Sequence, residues 1–192
     1  MAQEVKNQGE VDKQVNVGNV EGSVYLSSKT RFARRFEKLN QEVINNERYE
    51  GVMDALKYYL TKLDGVEMSE KLNQGGFEEG EIIKAARRKE KVSKHLERNR
   101  FFESAQWINS QLFAKIIIEF ETHVEIPLIN NGASKEDVMQ AVIEKVVNPV
   151  LQLINEEGEN DQVLNYTIED ILGMVYFLTG KCHINWAKYD NL

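Results

Sequence analysis

Apolar residues recur at helical spacing along most of the chain, and this pattern predicts its main elements. A first amphipathic helix is indicated by apolar residues at i, i+4, i+7 and i+11, which are Phe32, Phe36, Leu39 and Val43. From Glu78 to about Ile126 the sequence is rich in strong helix formers and contains no proline, which predicts long helices. A break is expected near residues 99–103, where the surface character changes from basic to apolar.

Further helices are predicted on both sides of this region. Residues 49–63 carry a second apolar stripe, and the stretch around Leu72 that follows is expected to be a loop. Ser134 and Thr167 each fit an N-cap, because an acidic residue follows three positions later. Pro149 lies inside a helical pattern, so a kink or break is expected there. The fold class that these segments predict is mainly α, a multi-helix bundle.

The N-terminal 28 residues have a different pattern. Residues 1–14 are polar, whereas apolar and polar residues alternate over 15–27 around a turn signal at Gly18-Asn19, which predicts a short β-hairpin or β-arch. Its candidate oligomerisation residues are Val15, Val17, Val20, Val24 and Leu26. A lone hairpin is marginal in water and has two open edges, so it is expected to pair with its own domain, another copy or another protein. We therefore expect a flexible appendage over 1–28 and a helical domain over 29–192.

The most distinctive segment closes the chain. The last helix is expected to end at Thr179-Gly180 in a left-handed glycine cap, and a short extended segment is expected over 181–187. The candidate partner-binding residues here are Trp186, Tyr189 and His183, because large aromatic residues dominate the energetics of interfaces. The alternative is that Trp186 only covers the end of the helical bundle.

Charge is segregated along the chain, although the net charge of −7 argues against a general nucleic-acid coat protein. Residues 84–100 hold eight lysines and arginines against two glutamates, whereas residues 119–170 hold twelve acidic residues against two lysines. Four cations of the basic run share one helical face, namely Arg87, Lys91, Lys94 and Arg98. This stripe could be a solvated helix face, a track for nucleic-acid phosphates, or a dock for an acidic partner, and the acidic remainder of the chain favours a protein partner.

The sequence contains no recognisable catalytic or cofactor-binding motif. Cys182 and His183 are adjacent, and neighbouring residues of an extended segment point to opposite faces, so they would chelate a metal poorly. No glycine-rich phosphate loop is present, and the single cysteine excludes an internal disulfide. We expect a protein that is not an enzyme and needs no cofactor. Because no apolar run is long enough to span a membrane and no secretory signal is present, a cytoplasmic location is expected.

Several segments together resemble a known family. They are residues 58–61 (YYLT), 70–76 (EKLNQGG), 85–97 (AARRKEKVSKHLE), 104–108 (SAQWI) and 176–186 (YFLTGKCHINW). Over roughly residues 30–192 the chain is similar to the C-terminal domain of the effector-type component of bacterial ABC-three-component systems of the Lamassu-like kind. The resemblance implies a helical module that acts beside an ABC ATPase of the SMC/RecN-like kind and a small middle component, in defence against phages or plasmids.

The same resemblance bears on activity. In that family a catalytic or membrane domain often precedes the helical module, whereas only 28 residues with a β-prone segment precede it here. We therefore expect a non-catalytic subunit that assembles with the ATPase. Two alternatives stay open: a scaffold that oligomerises through residues 15–27, and a nucleic-acid-binding protein that uses the basic stripe.

Overall fold

A computed structural model describes residues 29–188, and every structural statement below concerns that range. The segment 15–27 and Tyr189 lie outside the described residues. The described chain is mainly helical, as the sequence predicts. Its α-helices are α1 (Arg31–Ile44), α2 (Asp54–Leu60), α3 (Met68–Gln74), α4 (Glu79–Asn99), α5 (Glu103–Phe120), α6 (Lys135–Ala141), α7 (Asn148–Glu157) and α8 (Ile168–Gly180).

Helices α5 and α8 form the centre of the bundle. Each is apolar on more than one side, and a helix of that composition must be covered by its neighbours. Helix α4 covers one side of α8, while α1 and α2 pack against α5. The contact between α4 and α8 is close because Gly173 has no side chain: a Cβ there would lie 2.8 Å from the carbonyl oxygen of Arg88.

The predicted break at residues 99–103 is confirmed, and buried polar side chains hold it. Helix α4 ends at Asn99 and α5 begins at Glu103. The buried Glu42 of α1 accepts hydrogen bonds from the backbone N–H of Ser104 (3.0 Å) and from its hydroxyl (2.7 Å). A carboxylate at this position satisfies a free N–H group of the first turn of α5, and the positive end of the helix dipole stabilises its negative charge.

The predicted helix caps are also confirmed. The side chain of Ser134 accepts a hydrogen bond from the backbone N–H of Asp137, and Thr167 forms a reciprocal capping box with Asp170. The helical path continues through Pro149, which lies in the first turn of α7, directly after a π-helical turn at Val142–Val147. Proline donates no hydrogen bond to the preceding turn and its ring crowds the carbonyl four residues earlier, so the irregularity lies in the π-helical turn before Pro149.

Four details differ from the sequence prediction. The helix predicted over residues 49–63 is shorter, since only Asp54–Leu60 is helical, and the expected loop around Leu72 is the helix α3. The glycine cap is wrong: Gly180 is the last residue of α8, and the left-handed residue is Cys182, with φ of 68°. Residues 181–187 run through turns and bends.

A second π-helical turn, Glu121–Glu125, continues α5, and a short 3₁₀ turn follows at Ile129–Asn131. Along residues 29–188, no helix combines the length and the apolar character that crossing a bilayer requires.

Candidate partner-binding surfaces

Trp186 lies inside the bundle. Only 4% of it is exposed, and its ring packs edge-on against Phe77 and Phe120, with centroid distances of 4.9 and 5.3 Å. The indole N–H donates a hydrogen bond to the hydroxyl of Thr179 at 2.9 Å. Because the ring is enclosed in this way, the structure favours the alternative in which Trp186 covers the end of the bundle, and it offers no exposed indole to a partner.

His183 lies three residues before Trp186 and is partly exposed. Its half-buried ring packs against Tyr58 and Tyr59, with centroid distances of 5.0 and 5.6 Å. Burial lowers the pKa of the His183 imidazole, while hydrogen bonding to the backbone of Tyr58 and Tyr59 acts in the opposite direction and raises it. Tyr58 itself is 57% exposed. Of the three predicted anchors, only His183 therefore contributes to an accessible aromatic surface in the described part of the chain.

A polar network around the buried Lys71 fastens the C-terminal segment to the turn before α3, where Asp64 remains 39% exposed. Lys71 is only 3% exposed, and its ammonium group lies 2.9 Å from a carboxylate oxygen of Asp64 and 2.8 Å from the amide oxygen of Asn185. The thiol of Cys182 donates to the other oxygen of Asp64 at 2.7 Å. Hydrogen bonds from this thiol and from Lys71 lower the pKa of Asp64 to about 2. We call these four residues the C-terminal latch.

The latch is not predicted by the sequence pattern. A lysine in an amphipathic segment is usually solvated, so the residue type of Lys71 gave no signal that its side chain is buried. Its position did carry one, because it lies between Met68 and Leu72, which are both buried. In the latch the ammonium group of Lys71 pairs with the carboxylate of Asp64, and the second carboxylate oxygen accepts the hydrogen bond from Cys182. These contacts hold the C-terminal segment in place.

Replacing Asp64 by asparagine should change the acid stability of the domain. The pKa of Asp64 is lowered to about 2 in the folded state, and about 3.9 is usual for the unfolded chain. Its contribution to stability is therefore complete above about pH 4 and is lost as the pH falls through about 2. We expect the difference in free energy of unfolding between wild type and Asp64→Asn to shrink from pH 5 to pH 2 in urea titrations. The control is Glu159→Gln, an exposed carboxylate, and an equal pH trend for both variants would contradict the prediction.

The basic stripe does lie on one exposed face of α4, but parts of it are neutralised. Lys91 binds Asp170 at 2.7 Å, where α8 begins, and Lys94 lies 3.4 Å from Glu90. Arg98 lies 3.3 Å from a ring nitrogen of His95. Arg87 has no carboxylate partner among residues 29–188. The four cations share one exposed face of α4, as the helical periodicity predicts, whereas the acidic start of α8 beside this face was not predicted.

Apolar side chains interrupt the same face. Ile83 is exposed, and together with Ala86 it lines a shallow depression between the side chains of Arg87 and Lys94. A surface that mixes apolar and cationic groups in this way can bind a protein partner through both hydrophobic contact and charge.

Comparison with protein families decides the classification. A sequence model of C-terminal domain 9 of the ABC-three component (ABC-3C) systems matches residues 67–186, which is more than half of the chain. The chain belongs to this ABC-3C domain family. The match confirms the predicted kinship with ABC-3C C-terminal domains. No curated protein and no solved structure matches the chain.

The family match covers only part of the described helices. The ABC-3C domain begins just before α3 and ends at Trp186, so it includes α4, α8 and most of the latch. Helices α1 and α2 precede it, as does Asp64 of the latch. The described chain therefore consists of the family domain and a preceding pair of helices that pack on its central helix α5.

Proposed function

We propose that this protein is a non-catalytic subunit of a bacterial ABC-3C defence complex. In this proposal it works in the cytoplasm and assembles with an ABC ATPase of the SMC/RecN-like kind and a small middle component, as in Lamassu-like systems. The observation that carries the proposal is the family match over residues 67–186. A domain of a multi-component system is expected to have partners within that system, and this supports an assembly role.

The exposed face of α4 is the part of the domain best suited to that assembly. Among the cations that line the depression beside Ile83, Lys91 is held by the buried Asp170, Lys94 has only a loose pair with the exposed Glu90, and Arg87 has no carboxylate partner within residues 29–188. Arg87 and Lys94 are therefore the two that are most open to a partner. Nucleic-acid binding normally relies on several unpaired cations that follow the phosphate backbone. The face of α4 mixes cations with the apolar Ile83 and Ala86 and with Glu90, and such a mixture fits an acidic protein surface better, so direct DNA binding is the second candidate.

Co-expression with the other components of the same system tests the proposal. The tagged chain is purified together with the ATPase and the middle component, and native mass spectrometry gives the composition of the complex. We expect a stable complex that contains the ATPase. A preparation that contains only this chain, at a mass above the monomer, would overturn the proposal and favour the scaffold that assembles through residues 15–27.

Charge reversal on α4 should weaken this complex. We expect Arg87→Glu combined with Lys94→Glu to raise the dissociation constant about tenfold at low salt, because two attractive contacts become repulsive. The salt dependence of binding should flatten as well, since long-range attraction is lost. The matched control is Arg34→Glu with Lys145→Glu, an arginine and a lysine exposed elsewhere on the surface. Equal weakening by both double variants in fluorescence-anisotropy titrations would show a general effect of charge.

A further inference from the structure

An open groove of about 350 Å³ runs between α2 and α4. It exists because α2 packs mainly against α5, which leaves the facing sides of α2 and α4 apart. Five apolar side chains line it, and they are Val52, Leu56, Leu60, Leu96 and Phe177. Val52 stands at the mouth and is 46% exposed. The volume is in the range of natural binding pockets, and it can accept a few side chains of a bound partner.

One buried side chain holds both rims of the groove. The amide oxygen of Gln106 accepts a hydrogen bond from the backbone N–H of Met53 (2.7 Å), where α2 begins. Its amide nitrogen donates to the carbonyl oxygens of Gly51 (2.8 Å) and Arg100 (2.6 Å), and Arg100 follows the end of α4. The two walls are thus fixed relative to each other, and a preformed groove binds at a lower entropic cost.

The polar groups of the lining are occupied, except for one cation. The hydroxyl of Ser93 donates to the carbonyl oxygen of Lys89, and Arg100 pairs with Glu97 at 2.8 Å. The ammonium group of Lys181 lies 5.7 Å from the ring centroid of Phe177 and has no carboxylate partner within residues 29–188. The groove therefore presents an apolar trough with one free positive charge at its side.

We propose that this groove binds an amphipathic helix of a partner subunit, whose apolar side enters between α2 and α4 and whose acidic side chain meets Lys181. This inference rests on the proposed function, since it names the contact that a subunit of the complex would use. The occupant is a helix because both walls are helix faces and residues 29–188 contain no sheet edge to which a strand could add. Its acidic side chain follows from the unpaired charge of Lys181.

The position of the groove indicates a role in partner choice. One wall, α2, lies before the part of the chain that matches the family, whereas α4 and Phe177 lie within it. The groove thus has one wall from the family domain, α4, and one wall from outside it, α2. A change in α2 can therefore alter which helix is accepted while the family domain stays intact.

Photocross-linking from the mouth of the groove tests the occupant. Benzoylphenylalanine is placed at position 52 of the full chain, and the chain is co-expressed with the ATPase and the middle component. We expect a cross-link to one partner segment with apolar residues at helical spacing and an acidic residue nearby. A cross-link to a second copy of the chain, to residues 1–28 of the same chain, or to nothing in an assembled complex would overturn the inference.

Two substitutions give an independent test. Val52→Glu should weaken the complex tenfold or more, because a charge would enter the apolar trough, and Lys181→Glu should weaken it several-fold, with less effect at high salt. The control is Ile118→Glu, at a position that is 61% exposed and lies about three turns further along α5 than Gln106. Circular dichroism melting checks that each variant is folded.

The outcomes separate this inference from the proposed function. A complex that Arg87→Glu with Lys94→Glu weakens, and that Val52→Glu and Lys181→Glu leave unchanged, would refute the groove and keep the assembly role. If the wild-type chain forms no complex with the components of its system, both proposals fail.

Discussion

Replacing Trp186 by alanine is expected to lower the free energy of unfolding by about 3–5 kcal/mol, the usual cost of removing a large buried aromatic ring. The ring fills the space between Phe77, Phe120 and Tyr176, so its loss would leave a cavity at the end of the bundle. Denaturation in guanidinium chloride, followed by far-UV circular dichroism, measures the loss.

A conservative change separates packing from hydrogen bonding at this position. Trp186→Phe keeps an aromatic ring and removes the N–H group that bonds the hydroxyl of Thr179, so we expect a smaller loss of about 1–2 kcal/mol. If Trp186→Ala kept wild-type stability and lost only the complex with partner subunits, Trp186 would be an exposed anchor, which its burial contradicts.

Replacing Gly173 by valine is expected to cost about 3 kcal/mol. A Cβ at this position would lie 2.8 Å from the carbonyl oxygen of Arg88 and 2.8 Å from a methyl group of Val92. The backbone oxygen cannot rotate away, so α4 and α8 would have to separate, and overpacking of this kind usually costs a few kcal/mol. The melting temperature and the midpoint of chemical denaturation should both fall.

Gly80 provides the matched control for this prediction. It lies in the first turn of α4, and a Cβ there would meet no heavy atom within 4 Å. Gly80→Ala is therefore expected to raise the free energy of unfolding by about 0.5–1 kcal/mol, because alanine is the better helix former. A loss of stability in both variants would show that the cost at Gly173 does not arise from the contact between α4 and α8.

The features that the sequence predicted well depend on residues only a few positions apart. The caps at Ser134 and Thr167 need one oxygen and an N–H group three residues later, and the break at residues 99–103 follows from a local change of composition. The face shared by the cations of α4 follows from helical periodicity alone. Such local rules also predicted the fold class, since repeated apolar stripes leave few alternatives to a helical bundle.

The features that the sequence did not predict depend on distant pairs. The latch joins Lys71 to Asn185 and Asp64 to Cys182, which are 114 and 118 positions apart. The same distance explains the error at the end of α8. The local rule placed the left-handed residue at Gly180, whereas the chain turns at Cys182, where the thiol reaches Asp64. The pairing of Lys91 with Asp170 was hidden for this reason too, so the basic stripe looked more open than it is.

The latch also bears on how the protein is synthesised. Asn185 and Trp186, which complete the surroundings of α3 and of the turn before it, are translated more than a hundred residues after them. Contacts between such distant parts of a chain form slowly and only after the later part has emerged. Until residues 185 and 186 have emerged, the nascent protein therefore carries Phe77 without Trp186 and Lys71 with Asp64 but without Asn185. A chain that ends before residue 182 lacks every latch contact made by the C-terminal segment and leaves Phe77 uncovered by Trp186.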